Sequence, residues 1–159
     1  MSTSQWGSVV TALAGLLRVQ SGYRAPTDVT DGVTVYAGSQ RRMASDLGDC
    51  IMIGESGTWD LSVATLAGTS RGINESGKVV CRVTTQTGEL EPLIALTSAQ
   101  AVLATVETTI RTNPTLGLSP SPLSLLIAYP PTSVALGWPE GTRGQTCEIL
   151  FSITYRARI

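Results

Sequence analysis

QTCEILFSITYRARI, residues 145–159, closes the chain, and its alternation decides the fold. Cys147, Ile149, Phe151, Ile153, Tyr155, Ala157 and Ile159 fall on one face of an extended strand. Glu148, Ser152, Thr154, Arg156 and Arg158 fall on the other, with Leu150 the exception. Fifteen extended residues span roughly 50 Å, whereas strands of about 5–6 residues are usual. Such a strand either curls or reaches past its own domain towards a neighbour.

Working outward, other segments offer it partners. VTVYAG (33–38) alternates, and CIMIG (50–54) is a short apolar run. TWDLSVATLA (58–67) alternates Trp59, Leu61 and Val63 against Asp60, Ser62 and Ala64. With KVVCRVTTQTG (78–88) it predicts a long antiparallel hairpin whose turn is GTSRGINESG, 68–77. LSLLIAY (123–129) is a further strand. Pro130-Pro131 makes it an edge or bends it, because proline donates no ladder hydrogen bond. Val134, Leu136 and Trp138 resume the alternation before the turn GWPEGTRG, 137–144.

Two stretches carry the helical period instead. Trp6, Val9, Val10, Leu13, Leu16 and Leu17 share one face of a helix over 4–20, with Ser2, Thr3 or Ser4 available as cap. Residues 22–32 read as a loop. Ala99, Val102, Leu103, Val106 and Ile110 stripe a second helix over 97–112, and Thr97 with Gln100 fits a capping box. This helix stops at Asn113-Pro114, since proline disfavours helical geometry in the residue before it. The fold class is therefore α+β. It comprises a largely antiparallel, possibly mixed sheet with two main helices on one face, and one domain over 1–159.

A 159-residue chain buries enough surface to fold without disulfides or metals. Cys50, Cys81 and Cys147 are odd in number, far apart and strand-borne, which points to small buried apolar residues. No apolar run approaches the ~18 residues of a membrane span. No basic segment precedes VVTALAGLL (9–17), so no signal peptide is expected. Charged residues are only 14%, against roughly 25% in a typical domain. Two readings stand: a Thr-rich β surface, or a surface that meets other protein, since interface cores are poor in charge. The net charge of −1 gives no basic footprint for wrapping nucleic acid.

Catalytic sets are missing. There is no His, hence no usual general base and not the commonest metal ligand. No CxxC pair suggests zinc. GINESGKV (72–79) begins as a phosphate-binding loop and then fails, with Val79 where Ser or Thr should hold magnesium and a strand where a helix should follow. No enzyme activity, cofactor or metal is expected. Of the polar clusters, Arg41 and Arg42 with Asp46 and Asp49 form either local ion pairs or contacts between subunits. Arg71, Asn74, Glu75 and Lys78 mark the hairpin tip, a natural docking element. Arg156 and Arg158 protect an edge strand or join a contact. These ten are the candidate interface residues.

Read in order, the pieces resemble a tail terminator protein of a long, non-contractile-tailed bacteriophage. The residues that carry the likeness are the N-terminal amphipathic helix, VTVYAG, DCIMIGES (49–56) and Trp59. KVVCRVTTQTG, TTIRTNPTLG (108–117) and the closing YRARI (155–159) complete them. The resemblance implies a virion structural protein assembled in the bacterial host. Six copies would form a ring that caps the tail tube and meets a head-side connector, with DNA only passing through the lumen. It implies no membrane partner. Another neck component, whether head-completion or tail-completion protein, is the nearest alternative, and a monomeric binding module a more distant one.

Overall fold

The computed structural model describes residues 4–28, 30–38, 48–64, 72–88, 92–118, 122–128, 134–137 and 145–158. In chain order the elements are α1 (Trp6–Arg18), β1 (Tyr23–Arg24), β2 (Val33–Ala37), β3 (Cys50–Ala64) and β4 (Gly72–Thr87). They continue with α2 (Pro92–Thr112), β5 (Pro122–Ala128), β6 (Val134–Gly137) and β7 (Gln145–Arg158). One seven-stranded sheet runs β1-β2-β3-β4-β7-β5, and β6 also pairs with β7. Among the three long strands the central β4 runs antiparallel to both β3 and β7, while β1, β2 and β3 pair in parallel. The sheet is thus mixed and mostly antiparallel.

The alternation in β7 is borne out: Cys147, Ile149, Phe151, Ile153, Tyr155 and Ala157 are all buried. They line the face that also carries Val79, Cys81 and Val83 of β4 and Ile51 and Ile53 of β3. Both helices cover this face. Val9, Val10, Leu13 and Leu17 of α1 are buried there, each contributing about 1.5–3 kcal/mol. The Ala95, Ala99, Val102, Val106 and Ile110 stripe of α2 packs on β4 and β7. By length and composition α2 could also cross a membrane; the buried stripe accounts for part of its apolarity here.

Several boundaries differ from expectation. The segments 50–54 and 58–67 are one strand, joined through an irregularity between Ile53 and Ser56. Gly54 sits there at φ +79, and a Cβ on it would meet Val10 Cγ2 at 2.6 Å. The extra residues Gly54 and Glu55 keep the alternation in phase, so the core face continues beyond them. Helix α2 starts at Pro92, a favoured first-turn residue, and not at Thr97. Thr97 is no cap: its hydroxyl donates to the Leu93 carbonyl at 2.8 Å. Within the expected loop 22–32, Tyr23 and Arg24 pair with Val33 and Thr34. The helix stop at 113–117 is as expected. Asn113 Nδ2 donates to the Thr109 carbonyl at 3.0 Å, and Leu116 adopts φ 50 to bury its side chain.

Candidate interaction surface

The lengths of the elements create the surface. Strands β3 and β4 have 15 and 16 residues, roughly 50 Å of extended chain. Helix α1 has 13 residues, about 20 Å. Its first turn lies over Gly57, where an added Cβ would collide with the Trp6 indole, and the Tyr155 ring of β7 fills the space at Gly77. Beyond that point the core-facing side of the hairpin has less cover. Trp59 and Leu61 are 50% and 58% exposed there, and Trp59 leans on Trp6 with ring centroids 6.2 Å apart.

Glu75 belongs to this same side and corrects an expectation. It is not a docking residue at a hairpin tip but a fully buried carboxylate, because β4 already begins at Gly72 and position 75 faces inward. It accepts hydrogen bonds from Ser4 Oγ at 2.8 Å and from the Gln5 amide, which lies 3.0 Å from both oxygens. The Tyr155 hydroxyl donates to it as well. Ser4 Oγ in turn accepts the Trp6 amide at 3.1 Å. The start of α1 is therefore capped by a carboxylate reaching across from β4, where negative charge suits the helix dipole. Burial, first, and the Glu75 carboxylate, second, raise the Tyr155 phenol well above its ordinary pKa.

The opposite face of the hairpin is polar. Register aligns Thr58 with Lys78 and Thr154, Asp60 with Ser76 and Arg156, and Ser62 with Asn74 and Arg158. A shallow groove of about 570 Å³ runs between the first two rows. Asn74, Lys78, Arg156 and Arg158 are thus brought together from two strands, and the two arginines and the lysine are exposed. Further along the same face Arg82 pairs with Glu55 at 2.9 Å and with Glu148 at 3.1 Å.

Asp49 lies apart from this surface. Its carboxylate accepts the Gln86 amide at 2.8 Å and its carbonyl accepts the Thr34 amide at 3.0 Å, stitching together the starts of β2 and β3 and the end of β4. This intrachain bond gives Asp49 a structural task within the chain. Arg41, Arg42, Asp46 and Arg71 lie outside the described residues. Asp60, Trp59 and Leu61 are not among the ten candidate interface residues. The alternation at 58–63 assigned their faces; only the helix length reveals that the apolar pair is left uncovered.

The three thiols are buried as expected. Burial pushes Cys50 up to about 11 and Cys81 up to about 12, and raises Cys147 too, so all remain protonated and unreactive near neutrality. Among the described residues no three of His, Cys, Asp and Glu converge as metal ligands.

No family model matches the chain, and no curated relative does. Twenty-two solved chains do match. One of them belongs to the virion of a native gene transfer agent particle. It aligns over 98% of this chain and 100% of its own length, with a TM-score of 0.52 and 14% identity. That is a likeness of fold.

Proposed function

We propose that this chain is a non-catalytic virion structural protein, folded as one domain, that works as a tail terminator. Six copies form a ring on the last ring of the tail tube, end its polymerisation and present a surface to the head-side connector. The observation that carries this reading is the unfinished layer. Strands β3, β4 and β7 outrun α1 and leave Trp59 and Leu61 exposed on the side that elsewhere forms the core. A second copy can complete that layer. Rings use heterologous contacts, in which one patch meets a different patch on the next copy. The exposed Leu93 and Ile94 at the start of α2 supply a second apolar patch, near the other end of β4, where the Thr85 hydroxyl meets the Ala95 carbonyl at 2.7 Å. The fold-level likeness to a chain of an assembled particle supports the same class of role.

The test is a tube-length assay. Removing the protein from an assembling phage should leave tubes of uncontrolled length, seen by electron microscopy, and adding it back should restore one length. Tubes of normal length with unjoined heads would instead assign the chain to the head side of the neck.

A further inference from the structure

We propose that the helix-free face of the β3–β4–β7 hairpin is a docking surface for the phosphate backbone of double-stranded DNA. Arg158, Arg156 and Lys78 form a row. The arginines are two residues apart on β7 and share a face, so their Cα atoms lie about 6.8 Å apart. Lys78 follows one step further along on the neighbouring strand, opposite Thr154, roughly 8 Å diagonally from Arg156. All three side chains are exposed. Among the described residues Lys78, Arg156 and Arg158 form no ion pair, whereas Arg82 further along pairs with Glu55 and Glu148. Asp60, the carboxylate nearest in the ladder, sits opposite Ser76, one diagonal step from Lys78 on the neighbouring strand and two strands away from Arg156, and leaves the row a net excess of two positive charges.

A row of like charges suits a regular polyanion, whereas a folded protein partner more often presents mixed charges. The exposed hydroxyls of Thr58 and Ser76 and the amide of Asn74 flank the row and can donate to phosphate oxygens. No aromatic side chain lies on this face of the three paired segments, since Trp59 and Tyr155 both point the other way. It therefore lacks the stacking platform that single strands require. The net charge of −1 hides this row because acidic residues elsewhere cancel it. Placing the DNA in the channel of a ring rests on the function proposed above. In such a ring the apolar side is consumed by contacts between copies, and this polar face is the one left open.

The test is fluorescence anisotropy of a labelled DNA duplex titrated with the full chain. Native mass spectrometry of the same samples reports the assembly state. Three phosphate contacts predict an affinity that falls about 40-fold between about 50 and about 200 mM salt. The double variant Arg156→Glu/Arg158→Glu should remove nearly all of that salt-dependent binding and keep the wild-type circular dichroism spectrum. Asp60→Asn should tighten binding. Undiminished binding by the double variant, or no duplex binding by the wild type, overturns the proposal. Binding of poly-L-glutamate in preference to duplex overturns it in favour of an acidic protein face. A monomer that binds duplex supports this surface and counts against the ring alone; a ring that ignores duplex does the reverse.

Discussion

Glu75 is the residue on which the hairpin and the first helix depend together. A carboxylate with no solvent exposure must have its oxygens satisfied, and Ser4, Gln5 and Tyr155 all donate to it. Glu75→Gln keeps the volume but turns an amide N–H towards one of those donors. It should destabilise the fold by about 2–3 kcal/mol, read as a lower urea midpoint with an unchanged slope. Tyr155→Phe removes one donor of several and should lower stability by only about 1–2 kcal/mol. Equal losses in the two variants would mean that the carboxylate is not the hub. The cysteines make a different point. Their thiols are ordinarily near 9, and burial holds Cys50 at about 11 and Cys81 at about 12 in the folded chain. Above about pH 9 the unfolded chain therefore loses protons that the folded chain keeps. The stability is full below that pH and is lost as pH rises through about 11 to 12. Buried Tyr155 and half-buried Tyr23 act in the same direction. Urea midpoints should be flat from neutral pH to about 8.5 and fall steeply beyond about 9; Cys81→Ala should shallow that fall.

At the scale of elements, what the sequence revealed depended on how uniform each environment was. Strand β7 was legible along its length because every second residue from Cys147 to Ala157 meets one continuous core. The ends of α2 differed in legibility for a physical reason. Asn113-Pro114 stops a helix by backbone chemistry, whereas its start relies on Pro92, and the hydroxyl of Thr97 turned out to bond within the helix. Strand β3 looked broken because Gly54 to Gly57 has the composition of a turn. It is instead a bulge that lets the backbone approach α1. Strand β1 is two residues held by parallel pairing and left no periodic trace. The side on which Glu75 falls required knowing where the hairpin turns, which local patterning does not give; so did the convergence of Asn74, Lys78, Arg156 and Arg158. The bulge can be tested directly. Gly54→Ala adds a Cβ at a positive φ and against Val10, so strain and overpacking should together remove about 2–4 kcal/mol. A stability within about 0.5 kcal/mol of wild type would show that the strand can straighten without penalty.

For the whole molecule the question is what finishes the layer that α1 leaves open. A lone subunit gains little from Leu61, which is 58% exposed. Leu61→Ser should therefore leave the thermal midpoint of dilute protein almost unchanged. Trp59→Ser also removes the tilted contact with Trp6 and should lower it slightly, by an interaction worth about 0.5–1.5 kcal/mol. In a ring both side chains would sit at a contact between copies, where a buried apolar anchor is worth about 2 kcal/mol, or roughly 30-fold in affinity. The loss recurs at every interface of the ring, so the concentration needed for assembly should rise far more steeply than stability falls. Native mass spectrometry across a concentration series, alongside the melting curve of each variant, separates the two quantities. Loss of assembly with a preserved melting curve fits a surface built for a neighbour. Wild-type assembly by both variants would mean that the overhanging hairpin meets something other than its own copies.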